Sequence, residues 1–216
     1  MSCLTIRCSL LLALVLLATG STEAADRVTK RTHRLRVTLL EVSPTRTSGD
    51  PWDTGIGAFA RPDLQVTMIR DDRTAIEKAA KLYVEAWNEV AADLRDKKAG
   101  AGTLPVATPE AGLQCGAAIA ALQHPKLTEA RAKFAADTPV ANDTFHARFE
   151  DSQALAVGIG DKVAIYLNDI DIASHDRMGE YTLEITKELL RDKTIELKFG
   201  AARSLVLQLS PAKEAR

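Results

Sequence analysis

Cysteine is nearly absent. The 216 residues contain Cys3, Cys8 and Cys115 only. The first two fall within a stretch that has the marks of a cleavable leader, so one thiol remains and no internal disulfide is expected. Cys115 sits in Gly112-Leu113-Gln114-Cys115-Gly116-Ala117-Ala118-Ile119, an apolar helical pattern that suits a packed thiol better than a reactive one. Long hydrophobic runs are missing too. Leu10 to Ala18 is far shorter than the ~20 apolar residues a bilayer-spanning helix needs. It follows a weakly basic start and precedes Thr22-Glu23-Ala24, so residues 1–24 are expected to be a secretory signal peptide cleaved after Ala24. With no Cys at that position, no lipid anchor is expected, and the location implied is secreted or periplasmic. Charge of one sign is also lacking: 28 basic against 29 acidic residues give a net charge of -1, which argues against nucleic acid or a polybasic membrane anchor. There is no Gly-x-Ser-x-Gly, no His-Glu-x-x-His and no phosphate-binding Gly-Lys-Ser/Thr. Gly55-Ile56-Gly57 and Gly158-Ile159-Gly160 lack the third glycine of a dinucleotide loop. The histidines, at 33, 124, 146 and 175, are scattered. No internal repeat or low-complexity segment is visible.

What the chain does contain is a set of short alternating segments divided by turn residues. Arg34 to Val42 alternates Leu35, Val37 and Leu39 on one face and is expected to be a strand. Leu64 to Arg70 is a second, with Leu64, Val66 and Met68 facing one way. Between them, residues 43–62 are rich in Gly, Pro, Ser and Thr and form a loop long enough to be functional. Strand patterns return at 144–150, 154–157, 162–167, 181–185, 194–199 and 204–209, with a turn or short helix at 187–192. The middle differs. Thr74-Ala75-Ile76-Glu77 matches a capping box, and Ile76, Ala80, Tyr83, Val84, Trp87, Val90, Ala91 and Leu94 fall at helical spacing as far as Lys97. Thr108-Pro109-Glu110 opens a second helix to about Gln123, and Pro125 a third short one carrying Leu127, Ala130, Arg131 and Phe134. Several short strands separated by turns imply an antiparallel β-sandwich. Residues 71–137 are expected to form a helical hairpin or three-helix insertion within it.

Acidic residues gather after the strand Lys162–Leu167, in Asn168-Asp169-Ile170-Asp171-Ile172-Ala173-Ser174-His175-Asp176-Arg177-Met178-Gly179-Glu180. Two carboxylates ~4 Å apart repel by roughly 4 kcal/mol at a surface-like dielectric. Such crowding is costly unless a cation lies among them. Gly49-Asp50-Pro51-Trp52-Asp53, running on to Arg61-Pro62-Asp63, is the natural partner loop.

The two segments together resemble the C2 domain, the calcium- and lipid-binding β-sandwich. Asp53 and Pro62-Asp63-Leu64-Gln65-Val66-Thr67 are similar to that family's first acidic loop and following strand. Asp169-x-Asp171, with Asp176 three residues before Gly179, is similar to its third loop. The likeness covers residues 34–70 and 140–210. Asp53 and Asp63 lie ten residues apart, wider than the family pattern, and residues 71–137 have no counterpart in it. The resemblance implies an antiparallel Greek-key β-sandwich, residues 25–216, interrupted by the helical insertion. It also implies a calcium ion held by Asp53, Asp63, Asp169, Asp171 and Asp176, through some of the ~6–8 oxygen ligands calcium takes. Trp52, Ile56, Phe59 and Ile172 would then lie beside the acidic loops, where they could touch a phospholipid surface or a protein partner. Two other readings stand beside this one. The C2-like reading implies no catalysis, and the first alternative is a metal-independent secreted interaction module acting through the helices. The second is a dimeric aspartic protease around Asp53-Thr54-Gly55, although no apolar strand precedes that triplet and no second one exists. Asn142-Asp143-Thr144 is a glycosylation acceptor pattern or, in a host that does not glycosylate, a turn.

Overall fold

The computed structural model describes residues 30–46, 48–52, 61–97, 124–170 and 175–212. The expected leader, Cys115 and the helix expected over 108–123 lie outside them. The chain divides into two compact units, one comprising 24–71 with 134–216 and the other containing 72–133.

The first unit is a β-sandwich. Among the described residues it has strands β1 (His33–Val42), β2 (Leu64–Arg70), β3 (Ala135–Asp137), β4 (His146–Arg148), β5 (Leu155–Val157), β6 (Lys162–Ile170), β7 (His175–Glu184), β8 (Thr194–Phe199) and β9 (Ala202–Pro211). One sheet runs β4-β1-β9-β8, with β5 also on β1, and the other runs β3-β2-β6-β7. Every pairing is antiparallel. The expected mainly-β architecture of two antiparallel sheets is what forms. One apolar core fills the space between them, drawing Leu35, Leu40, Leu205 and Leu207 from the first sheet and Val66, Met68, Ile165 and Leu167 from the second. Alternation produces this directly: β6 runs exposed or half-buried and buried by turns over its whole length.

Three departures from strict alternation matter. In β1 the register shifts between Val37 and Leu39. This bulge moves the inward face from odd to even positions, so Leu40 and Val42 are buried while Leu39, expected in the core, is only half-buried. In β7 a second shift lies opposite the step from Leu167 to Asn168. The segment from Asp176 to Gly179, expected to be a loop closed by a glycine turn, is therefore strand with a bulge. The third is β3, three residues within the span expected to be helical, which pairs with β2 at Thr67, Met68 and Ile69. Its Ala-Ala-Asp sequence is too short to show a period.

The second unit carries α1 (Arg73–Lys97) and α2 (Pro125–Arg131). The cap of α1 is Asp72 rather than Thr74: its Oδ1 accepts the Ala75 N–H at 3.1 Å, and its carbonyl accepts the Ile76 N–H at 2.9 Å. Ile76, Ala79 and Ala86 are buried on α1 and Leu127 and Ala130 on α2. Val84, expected on the apolar face, is 56% exposed, because the buried stripe runs through Ala79 and Ala86 instead. Among the described residues no helix is long and apolar enough to cross a membrane.

Candidate functional site at the loop end of the sandwich

Antiparallel pairing decides which loops share an end. The first residue of β2, Leu64, is the register partner of Asp169 in β6. Asp169 is in turn opposite Asp176 in β7. The start of β2, the end of β6 and the start of β7 therefore lie side by side, and Asp63, Asp169 and Asp176, 113 residues apart at the extremes, meet there. The segment leaving β1 joins them: Ser43 donates its N–H to the Ala201 carbonyl at 2.9 Å, and Arg46 and Asp50 close a turn through an Arg46 N–H to Asp50 carbonyl bond of 2.8 Å.

Each of these carboxylates has a protein partner. Asp169 is fully buried, and its Oδ1 accepts the N–H of Asp63 at 2.8 Å. Asp63 uses its own Oδ1 to accept the N–H of Asp143 at 2.7 Å. That bond anchors the 142–144 turn, where Asp143 holds a left-handed φ of 50°. Oδ2 of Asp176 accepts a charge-assisted bond of 2.6 Å from Nη2 of Arg46. The same guanidinium donates to the carbonyl of Trp52 and lies 5.4 Å from the centre of the Trp52 ring. Trp52 is 6% exposed, with its indole N–H bonded to the Ser43 carbonyl at 2.8 Å. Its ring belongs to the core, which removes it from the expected surface contacts.

Asp53 and Asp171, and with them Ile56, Phe59 and Ile172, lie outside the described residues, as does the Asp53-Thr54-Gly55 triplet. Arg46 is not among the candidates that the sequence suggests. The only signal for it is a cation, one of two with Arg61, in a loop rich in Ser, Pro, Thr and Gly.

No family model and no curated protein sequence matches the chain. Its structure is similar to solved ones. It resembles a C2 domain of plant extended synaptotagmin 1, at TM-score 0.41 and 9% identity, over 87% of this chain and 100% of that one. It also resembles human GIVD cytosolic phospholipase A2 in complex with methyl gamma-linolenyl fluorophosphonate, at TM-score 0.42 and 12% identity, over 85% of this chain. The chain spans 17% of the length of that phospholipase.

The described residues do not fit a calcium ion. Among them no group of three or more His, Cys, Asp or Glu side chains is placed to hold a metal. The carboxylates that do converge are engaged with backbone N–H groups or with Arg46. A divalent ion about 5 Å from that guanidinium would be repelled by roughly 7 kcal/mol at an effective dielectric of about 20, before screening by water.

The outer face of the same sheet carries a second charged cluster. Arg177 lies 4.9 Å from the Tyr166 ring centre and bonds Glu180 at 3.0 Å. The pKa of the Tyr166 phenol is raised above its ordinary value of 10.0, by burial first and by the Glu180 carboxylate second, with Arg177 opposing.

Proposed function

We propose that this chain is a C2-like binding module that attaches to a phospholipid surface through the loop end of its sandwich. The observation that carries the reading is that the start of β2, the end of β6, the start of β7 and the Arg46–Trp52 segment come together beside Asp63, Asp169 and Asp176. Connections that issue from one end of a rigid sandwich form a continuous rim, and rims of this kind are where binding residues concentrate. The described residues that flank 171–174, Ile170 and His175, are register partners at this end. Ile56, Phe59 and Ile172 are the proposed surface contacts. Calcium held by Asp53, Asp63, Asp169, Asp171 and Asp176 is the cofactor the resemblance implies, but attachment as proposed here does not require it. With the leader expected over residues 1–24, the surface served is that of a secreted or periplasmic protein. The helical unit has less in its favour as a docking element: among its described residues Val84 is the one large apolar side chain that is exposed, and isolated ones are ordinary.

Sedimentation with vesicles of phosphatidylcholine and phosphatidylserine tests the proposal. The native chain should pellet with them in chelator. Phe59→Asp and Ile172→Asp should each lower the bound fraction about tenfold, as expected for removing one inserted apolar side chain, while leaving the melting temperature unchanged. A native chain that stays in the supernatant at every lipid concentration, with and without calcium, would exclude phospholipid as the ligand.

A further inference from the structure

The acidic end already contains a cation, and its position is built rather than incidental. Arg46 is fixed through its backbone by the turn in which its N–H bonds to the Asp50 carbonyl at 2.8 Å and its own carbonyl accepts from Gly49 at 2.9 Å. Its side chain is fixed at the far end by Asp176 at 2.6 Å and by the carbonyl of Trp52. Trp52 is itself immobilised, because its indole is buried and bonded to Ser43. The pair is half-exposed, at 36% for Arg46 and 37% for Asp176, yet both ends of it are anchored.

We infer that Arg46 is a built-in counterion standing where the C2 resemblance implies a calcium ion, so that this end assembles without metal. Opposite Asp176 across the β6–β7 ladder lies Asp169, fully buried. Arg46 neutralises Asp176 with a planar donor that brings its own hydrogen bonds. Asp169 and Asp63 are left to order backbone: Asp169 holds the start of β2 against the end of β6, and Asp63 holds the 142–144 turn. A calcium ion drawn to Asp176 would have to displace the guanidinium that already holds its Oδ2. The consequence is a module whose loop end is indifferent to calcium in its native form and becomes responsive when Arg46 is removed.

This inference rests on the location given under the proposed function but not on lipid, so it is tested without vesicles. Melting of the native chain in chelator and in millimolar calcium should give the same temperature. Arg46→Gln should melt lower in chelator and recover several degrees on adding calcium. Arg46→Lys, which keeps the charge, should stay unresponsive. A native chain stabilised by calcium would overturn the inference, and so would an Arg46→Gln protein as insensitive to the metal as the native one. Should that variant fail to fold, calorimetric titration of the native chain with calcium decides: saturable heat at or below millimolar concentration refutes it, and its absence upholds it. Vesicle sedimentation separates the two proposals. A chain that never pellets overturns attachment alone, and one that pellets only with calcium overturns the counterion and the metal-independence of attachment while leaving phospholipid as the ligand.

Discussion

Gly200→Ala should destabilise the sandwich by about 3 kcal/mol, combining backbone strain with overpacking. Gly200 sits in the β8–β9 turn with φ +53°, where a Cβ would lie 2.5 Å from the Met178 carbonyl oxygen and 2.6 Å from the Gly179 Cα. Both obstacles are backbone, so no side chain can move aside. The contact is also bonded, because Ala201 donates its N–H to the Met178 carbonyl at 2.9 Å. Here the turn of one sheet presses on the bulge in β7 of the other. Thermal melting should show a fall of about 6–12 °C, at roughly 2–4 °C per kcal/mol for a chain of this size. Gly160→Ala is the control. Its φ is also positive, at +87°, but nothing lies within 4 Å of the added carbon, so only about 1 kcal/mol of conformational strain is expected. Equal losses for the two variants would show that the Gly179–Gly200 approach is not what the fold depends on.

Asp169→Ala should cost about 2–3 kcal/mol, by stripping a hydrogen bond to a charged group and leaving a backbone donor without its acceptor at the start of β2. The carboxylate is fully buried and accepts the Asp63 N–H at 2.8 Å. Asp169→Asn keeps a carbonyl oxygen in the same place and should lose much less. The comparison separates two roles for the residue. Were Asp169 chiefly a metal ligand, both substitutions would leave stability in chelator nearly unchanged and would differ from the native chain only with calcium present. Chemical denaturation in chelator distinguishes these outcomes.

Period-two alternation makes most of the sandwich legible from the residues alone. The patterns at 34–42, 64–70, 162–167, 194–199 and 204–209 all fall on strands, in β1, β2, β6, β8 and β9. The exceptions have physical reasons. A bulge inserts one residue and reverses the faces, which is why Leu40 rather than Leu39 enters the core. Gly179 has the look of a turn residue, but it is needed inside β7 because Gly200 and the Phe199 ring come within 3.2–3.4 Å of where its Cβ would be. That demand arises from the opposite sheet and leaves no local trace. Charge is the subtler matter. The crowding of Asp169 and Asp176 is visible in the sequence, as is the need for a cation beside them. The identity of the cation is not, since Arg46 lies 130 residues from its partner. Only the folding of the Arg46–Asp50 turn against the start of β7 brings them together.

The same closure supports the attachment surface and the counterion alike, so the pair that spans it offers the most direct test. A double-mutant cycle on Arg46→Ala and Asp176→Ala, read by denaturant unfolding in chelator, isolates their interaction from everything else each side chain touches. The geometry, a 2.6 Å contact between half-exposed groups, predicts a favourable coupling of about 1 kcal/mol. A coupling indistinguishable from zero would mean that Arg46 does not serve as the stabilising counterion of Asp176.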